Sequence, residues 1–145
     1  MQVRLATEAD HGAVKALYRE LRPQDPEVDS DASLTHFRVV LQSPQARLVV
    51  ALCEGEVGAT CMLASIPNFA SAGMPIGVIE HVITGERFRR RGLALAALEF
   101  ALDAAWTMNC CKVFLRQLVE GGAKPRASKF GPLKSGSNTK PSSIP

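Results

Sequence analysis

From Gly92 to about Met108 the stretch "GLALAALEFALDAAWTM" offers only three polar positions, Glu99, Asp103 and Thr107, each four residues from the next. On a helix that spacing collects into one thin stripe, so almost the whole remaining surface needs cover. The run falls short of the roughly 20 apolar residues that span a bilayer. The cover must therefore come from the chain itself. The flanking segments "IGVIEHVIT" and "CCKVFLRQ" read as strands and can supply it. A strand, a buried helix and a second strand laid on one sheet predict an α/β or α+β fold.

The other segments agree with that class. "QVRLAT" alternates like a first strand, and Thr7 with Asp10 has the spacing of a capping box. Ala13, Val14, Leu17, Tyr18 and Leu21 then share one helical face until Pro23 and Pro26. "QDPEVDSDA" reads as an acidic loop. A second helix over about 32–42 groups Leu34, Phe37 and Leu41 and stops at Pro44. "ARLVVALCEGEVGATCMLASI" reads as a hairpin turning at Glu54-Gly55, and "PNFASAGMP" as a loop. The expected architecture is a mixed, mostly antiparallel sheet flanked by helices, in one domain over residues 1–120. Residues 121–145 contain 13 Gly, Pro or Ser and lose apolar periodicity, which predicts an irregular tail.

Charge and cysteine usage exclude several classes. The net charge is +3, but the tail alone holds five basic residues and no acid, leaving the body mildly acidic. That balance, with 6% aromatic residues, argues against a nucleic-acid platform. Cys53, Cys61, Cys110 and Cys111 form no C-x-x-C pair and read as small buried thiols; the three histidines lie far apart, so no metal site is expected. The opening "MQVRLATEAD" has no signal-like core, and no segment is apolar enough for a membrane span, so a cytoplasmic location is expected.

One feature opposes simple helix electrostatics. Arg87, Arg89, Arg90 and Arg91 precede the long helix, at the positive end of its dipole. A helix N-terminus carries unpaired N–H groups, glycine admits a ligand close to the backbone, and guanidinium groups add charge. The pattern Arg89-x-x-Gly92-x-Ala94 thus suits a phosphate or pyrophosphate, although by itself it is equally compatible with a solvated charge cluster. It is neither a Walker loop nor a dinucleotide fingerprint.

The stretch "VIEHVITGERFRRRGLALAALEFALDAAWTMNCCKVFL" resembles the core of the GCN5-related N-acetyltransferase (GNAT) superfamily. With the opening "VRLATEAD", the resemblance covers about residues 2–117. The detail "IEHV…CCKVFL" is similar to the subgroup that includes glucosamine-phosphate N-acetyltransferases. The resemblance implies acetyl-coenzyme A as cosubstrate, with no metal, and a small-molecule primary amine as acceptor. It implies that the pyrophosphate is held around Arg89, Arg90, Arg91, Gly92, Leu93, Ala94 and Leu95. It also implies that the segment Val82, Ile83, Thr84 pairs with the pantetheine arm through the backbone of Val82 and Thr84, in a slot where the sheet splays. Glu80 is then the expected general base and the Val82 amide an oxyanion donor, the alternative for Glu80 being a rim carboxylate paired with an arginine. His81, by strand alternation, is expected on the opposite face as a packed or surface residue. A homodimer is the habit of many such proteins.

The C-terminal third departs from the family pattern. Where these enzymes carry an aromatic helix with a tyrosine acid, this chain has "ASKFGPLKSGS", with Gly131 in the tyrosine's place and Ser137 in that of the final phenylalanine. The only tyrosine is Tyr18, and Cys111 replaces another common tyrosine. A coenzyme A-binding protein with little or no transfer is therefore the alternative expectation.

Overall fold

The computed structural model describes residues 1–116. The expected tail at 121–145 and the "ASKFGPLKSGS" segment lie outside the described residues. Five strands form one sheet in the order β1-β2-β3-β4-β5: β1 (Gln2–Leu5), β2 (Ala46–Cys53), β3 (Glu56–Ile66), β4 (Ile76–Thr84) and β5 (Lys112–Leu115). All neighbours are antiparallel except β4 and β5, which run parallel because a helix crosses between them. The helices are α1 (His11–Leu21), α2 (Ser30–Gln42) and α3 (Leu93–Thr107).

Alternation along β2 divides the core into a pair of clusters. Val49 and Ala51 face α3, together with Cys61, Leu63 and Ile79. Leu48, Val50 and Leu52 face α1 and α2, where Val14, Phe37, Val40 and Leu41 meet them. On α3 the sheet side is built from Ala97, Ala101 and Ala105, all fully buried. Alanine at every fourth position lets the helix axis approach the sheet closely, and the longer Leu93 and Leu98 fill the flanks. Glu99 and Asp103 remain exposed, as the thin polar stripe predicts.

Local chemistry accounts for the boundaries. The Asp10 carboxylate accepts the Thr7 backbone N–H at 2.7 Å and both terminal nitrogens of Arg4 at 2.7 and 3.0 Å. This pins β1 to the entry of α1. The second helix begins at Ser30, two residues before the expected start, because the Asp29 carboxylate accepts the Ala32 N–H at 2.9 Å and caps it. Of the expected face, Phe37 and Leu41 reach the core beside Val40, whereas Leu34 does not join that cluster. Glu54 and Gly55 both take left-handed φ, 51° and 80°, the twist a two-residue hairpin requires. Among the described residues no helix is long and apolar enough to cross a membrane.

Candidate functional site

The strand and turn singled out in the sequence meet at one end of the sheet. Strand β4 pairs with β5 only from Ile76↔Lys112 to Ile79↔Leu115, and the last bond runs from the Arg116 N–H to the Ile79 carbonyl at 2.9 Å. Beyond Ile79, β4 continues to Thr84 with no β5 partner among the described residues. On the other edge it stays bound to β3, and the Gly85 N–H donates to the Gly58 carbonyl at 2.9 Å. Successive backbone groups of a strand point to opposite edges. Counting back from Gly85, the N–H groups of Val82 and Thr84 face the open edge, while that of Ile83 faces β3.

A bulge sits where β4 and β5 diverge. Thr60 pairs with Ile83 but Met62 pairs with Glu80, so His81 and Val82 together oppose Cys61. The bulge residue His81 has φ 52°, in the left-handed region that a non-glycine residue seldom adopts. This overturns the expectation from strand alternation. The His81 ring packs against the Tyr18 ring of α1, 5.1 Å between centroids. Glu80 belongs to the same side: its cross-strand partner Met62 packs with the α1–α2 core, and its charge helps to raise the Tyr18 hydroxyl. The Tyr18 pKa is pushed up to about 12, first by burial, then by Cys61 and Glu80. Tyr18 is therefore a neutral phenol near neutral pH. Glu80 lies 3.2 Å from the Arg116 guanidinium, the arginine pairing that the sequence left open.

The basic turn is held from beneath. Glu86–Phe88 form a single 3-10 turn, and Phe88 drops into the core against Gly58 and Leu93. Arg87 is drawn away from the cluster by an ion pair with Glu56 and by stacking over Phe88, 4.5 Å to the ring centroid. Arg89, Arg90 and Arg91 are exposed. Arg91 donates to the Cys53 sulfur at 3.4 Å, and Arg89 and Arg90 have no ion pair among the described residues. Arg90 and Gly92 take left-handed φ, 62° and 77°, which reverses the chain tightly into α3.

Among the described residues no side chain caps α3, and no acid lies in its first turn. The first intrahelical bond is from the Ala96 N–H to the Gly92 carbonyl, so the N–H groups of Leu93, Ala94 and Leu95 have no partner among the described residues. A side chain added at Gly92 would meet nothing within 4 Å. Leu93 itself is buried, so only its backbone is available.

A separate cleft of ≈ 730 Å³ lies between α1 and the 85–88 turn, with Asp10, Glu20, Glu56 and Glu86 in its lining. Its acidity disfavours an anion. Among the described residues no group of His, Cys, Asp or Glu could hold a metal ion.

The profile of the acetyltransferase (GNAT) family matches residues 14–123. A protein from Agrobacterium tumefaciens assigned as an acetyltransferase is 32% identical, with TM-score 0.75 and 81% of each chain covered. A glucosamine-6-phosphate N-acetyltransferase from Arabidopsis thaliana shares the fold at TM-score 0.71 and 22% identity, over 89% of this chain and 97% of that one. An aminoglycoside N-acetyltransferase solved in complex with CoA shares it at TM-score 0.69 and 17% identity, over 81% and 76%. No curated protein matches the sequence.

Proposed function

Because this chain belongs to the GNAT acetyltransferase family, we propose that it transfers an acetyl group from acetyl-coenzyme A to the primary amine of a small molecule. The observation that carries the reading is the joint geometry of the open edge of β4 and the uncapped start of α3. Among the described residues both present backbone N–H groups without partners, and Arg89 and Arg90, which have no ion pair there, stand beside the second. The cosubstrate supplies the acetyl group as a thioester.

The chain's own residues do the rest. The N–H groups of Leu93, Ala94 and Leu95 bind the pyrophosphate, and the guanidinium groups around Gly92 add charge. The edge groups of Val82 and Thr84 hold the pantetheine arm as an added strand, and the carbonyl lies where β4 and β5 separate. There the Val82 N–H is placed to donate to an oxyanion. Glu80, half-buried at that point, takes a proton from the acceptor amine directly or through water. The acceptor enters from the α1 side, past Tyr18 and the α1–α2 connection.

Calorimetric titration with acetyl-coenzyme A tests the reading. The chain should bind, and the double variant Arg89→Ala/Arg90→Ala should bind at least about tenfold more weakly, since charge-assisted hydrogen bonds contribute roughly 1.5–3 kcal/mol each. Unchanged affinity in that variant would remove the basis for the phosphate seat. Thiol release with added amines then separates transfer from binding alone.

A further inference from the structure

The bulge in β4 turns His81 toward the side of the sheet that carries Glu80. Had β4 run regularly, the imidazole would lie on the α3 side. Instead it rests on Tyr18. Its Nδ1 is buried without a hydrogen-bond partner, while Nε2 is neither buried nor bonded among the described residues. A left-handed non-glycine residue with an orphaned ring nitrogen is unfavourable twice over, and such strain gathers at functional sites. Glu80, the neighbouring candidate, already has the Arg116 guanidinium at 3.2 Å.

We propose that His81 is a second catalytic base: Nε2 accepts the proton of the acceptor's ammonium group beside Glu80. This rests on the transfer reading above. The proton passes from the ammonium nitrogen to Nε2, leaving a neutral amine and an imidazolium. The amine's lone pair then forms the N–C bond as the C–S bond breaks, and the sulfur leaves with that electron pair. The nitrogen's surplus proton goes to the thiolate, and the imidazolium returns its own to solvent.

Charged and titratable groups approach His81 from several elements. Carboxylates come from Glu80 on β4 and from Asp25 in the α1–α2 connection. The Arg22 guanidinium, with His81 among the smaller contributors, holds the Asp25 carboxyl below the usual range. Tyr18 on α1 is neutral; Cys61, the cross-strand neighbour of the bulge on β3, points to the α3 side and keeps its proton because burial pushes its pKa up to about 12. The guanidinium groups of Arg116 and Arg22 are each tied to a carboxylate.

The test compares wild type with His81→Asn and His81→Gly. Both replacements tolerate left-handed backbone, so the bulge survives. Thiol release is followed against pH with benzylamine, spermidine and glucosamine 6-phosphate. His81→Asn should bind acetyl-coenzyme A as wild type does and lose about 100-fold or more in kcat/KM, together with the acid limb of the profile. Added imidazole should restore turnover to His81→Gly. Retention of the rate and the acid limb in His81→Asn overturns the proposal alone. A uniform loss with an unchanged profile and no imidazole rescue also overturns it, since that is positioning without proton transfer. A wild-type chain that binds acetyl-coenzyme A yet acetylates none of the three amines overturns both this proposal and the transfer reading. If both variants fail to fold, the wild-type imidazole signal of His81 is followed by NMR as the amine is added; an unmoved signal overturns the proposal.

Discussion

Gly58 is the tightest point beneath the basic turn, and replacing it by alanine tests whether that turn is held by packing. A methyl group there would lie 2.7 Å from a Leu93 methyl carbon and from Phe88 Cγ, and 2.9 Å from Phe88 Cδ1. Favourable carbon–carbon contact is about 3.5–4.0 Å, so both side chains must retreat by about 1 Å. Neither has room, because Phe88 is 8% exposed and Leu93 1%. Overpacking of this kind costs about 1–3 kcal/mol. The backbone at Gly58 suits alanine, and the loss of freedom in the unfolded chain returns about 0.4–1 kcal/mol. The net loss is about 1–2 kcal/mol, or roughly 3–8 °C in Tm for a domain of this size.

Phe88 and Leu93 bracket Arg89–Gly92, so the same substitution should weaken acetyl-coenzyme A binding without touching any proposed contact. Urea unfolding and calorimetric titration measure the two effects. In the double variant Gly58→Ala/Phe88→Leu the smaller side chain makes room. The combined loss should then fall short of the sum of the single losses by about 1 kcal/mol. Strict additivity, or a wild-type Tm in Gly58→Ala, would refute the account of the turn.

Asp10→Asn should destabilise the fold by about 2 kcal/mol at neutral pH, because the buried carboxylate loses charge-assisted bonds from Arg4. The Arg4 guanidinium holds the Asp10 carboxyl below its ordinary value. That stability is present above the unfolded carboxylate's pKa and lost as pH falls through the folded one, so the gap between wild type and variant should close in acid. Denaturant midpoints across about pH 2–7 check it. In alkali the sign reverses. Tyr18 and Cys61 are both raised to about 12 from ordinary values of 10.0 and 9.0. The unfolded chain gives up these protons first, so stability should fall by up to about 1.4 kcal/mol per pH unit for each group once pH passes its unfolded value. Tyr18→Phe/Cys61→Ala should flatten that slope in urea titrations from about pH 8 to 11.

Local chemistry was legible in the chain before any contact was known. A three-residue polar stripe fixes α3 as a covered helix; Glu54-Gly55 fixes the hairpin; Gly92 after a run of arginines fixes the uncapped helix start. These follow from periodicity and backbone preference, which act between near neighbours. The start of α2 was legible too, in Asp29, had its capping capacity been weighed against its acidity. The pairing of Arg87 with Glu56 and of Glu80 with Arg116 was not legible, because the partners meet only across strands. Nor was the orientation of His81. Its face depends on a one-residue mismatch between β3 and β4, and no residue in "GVIEHVIT" announces a left-handed bulge. Which side chains share a site is set by register, and register is a property of two strands together, decided only when the sheet assembles around its core.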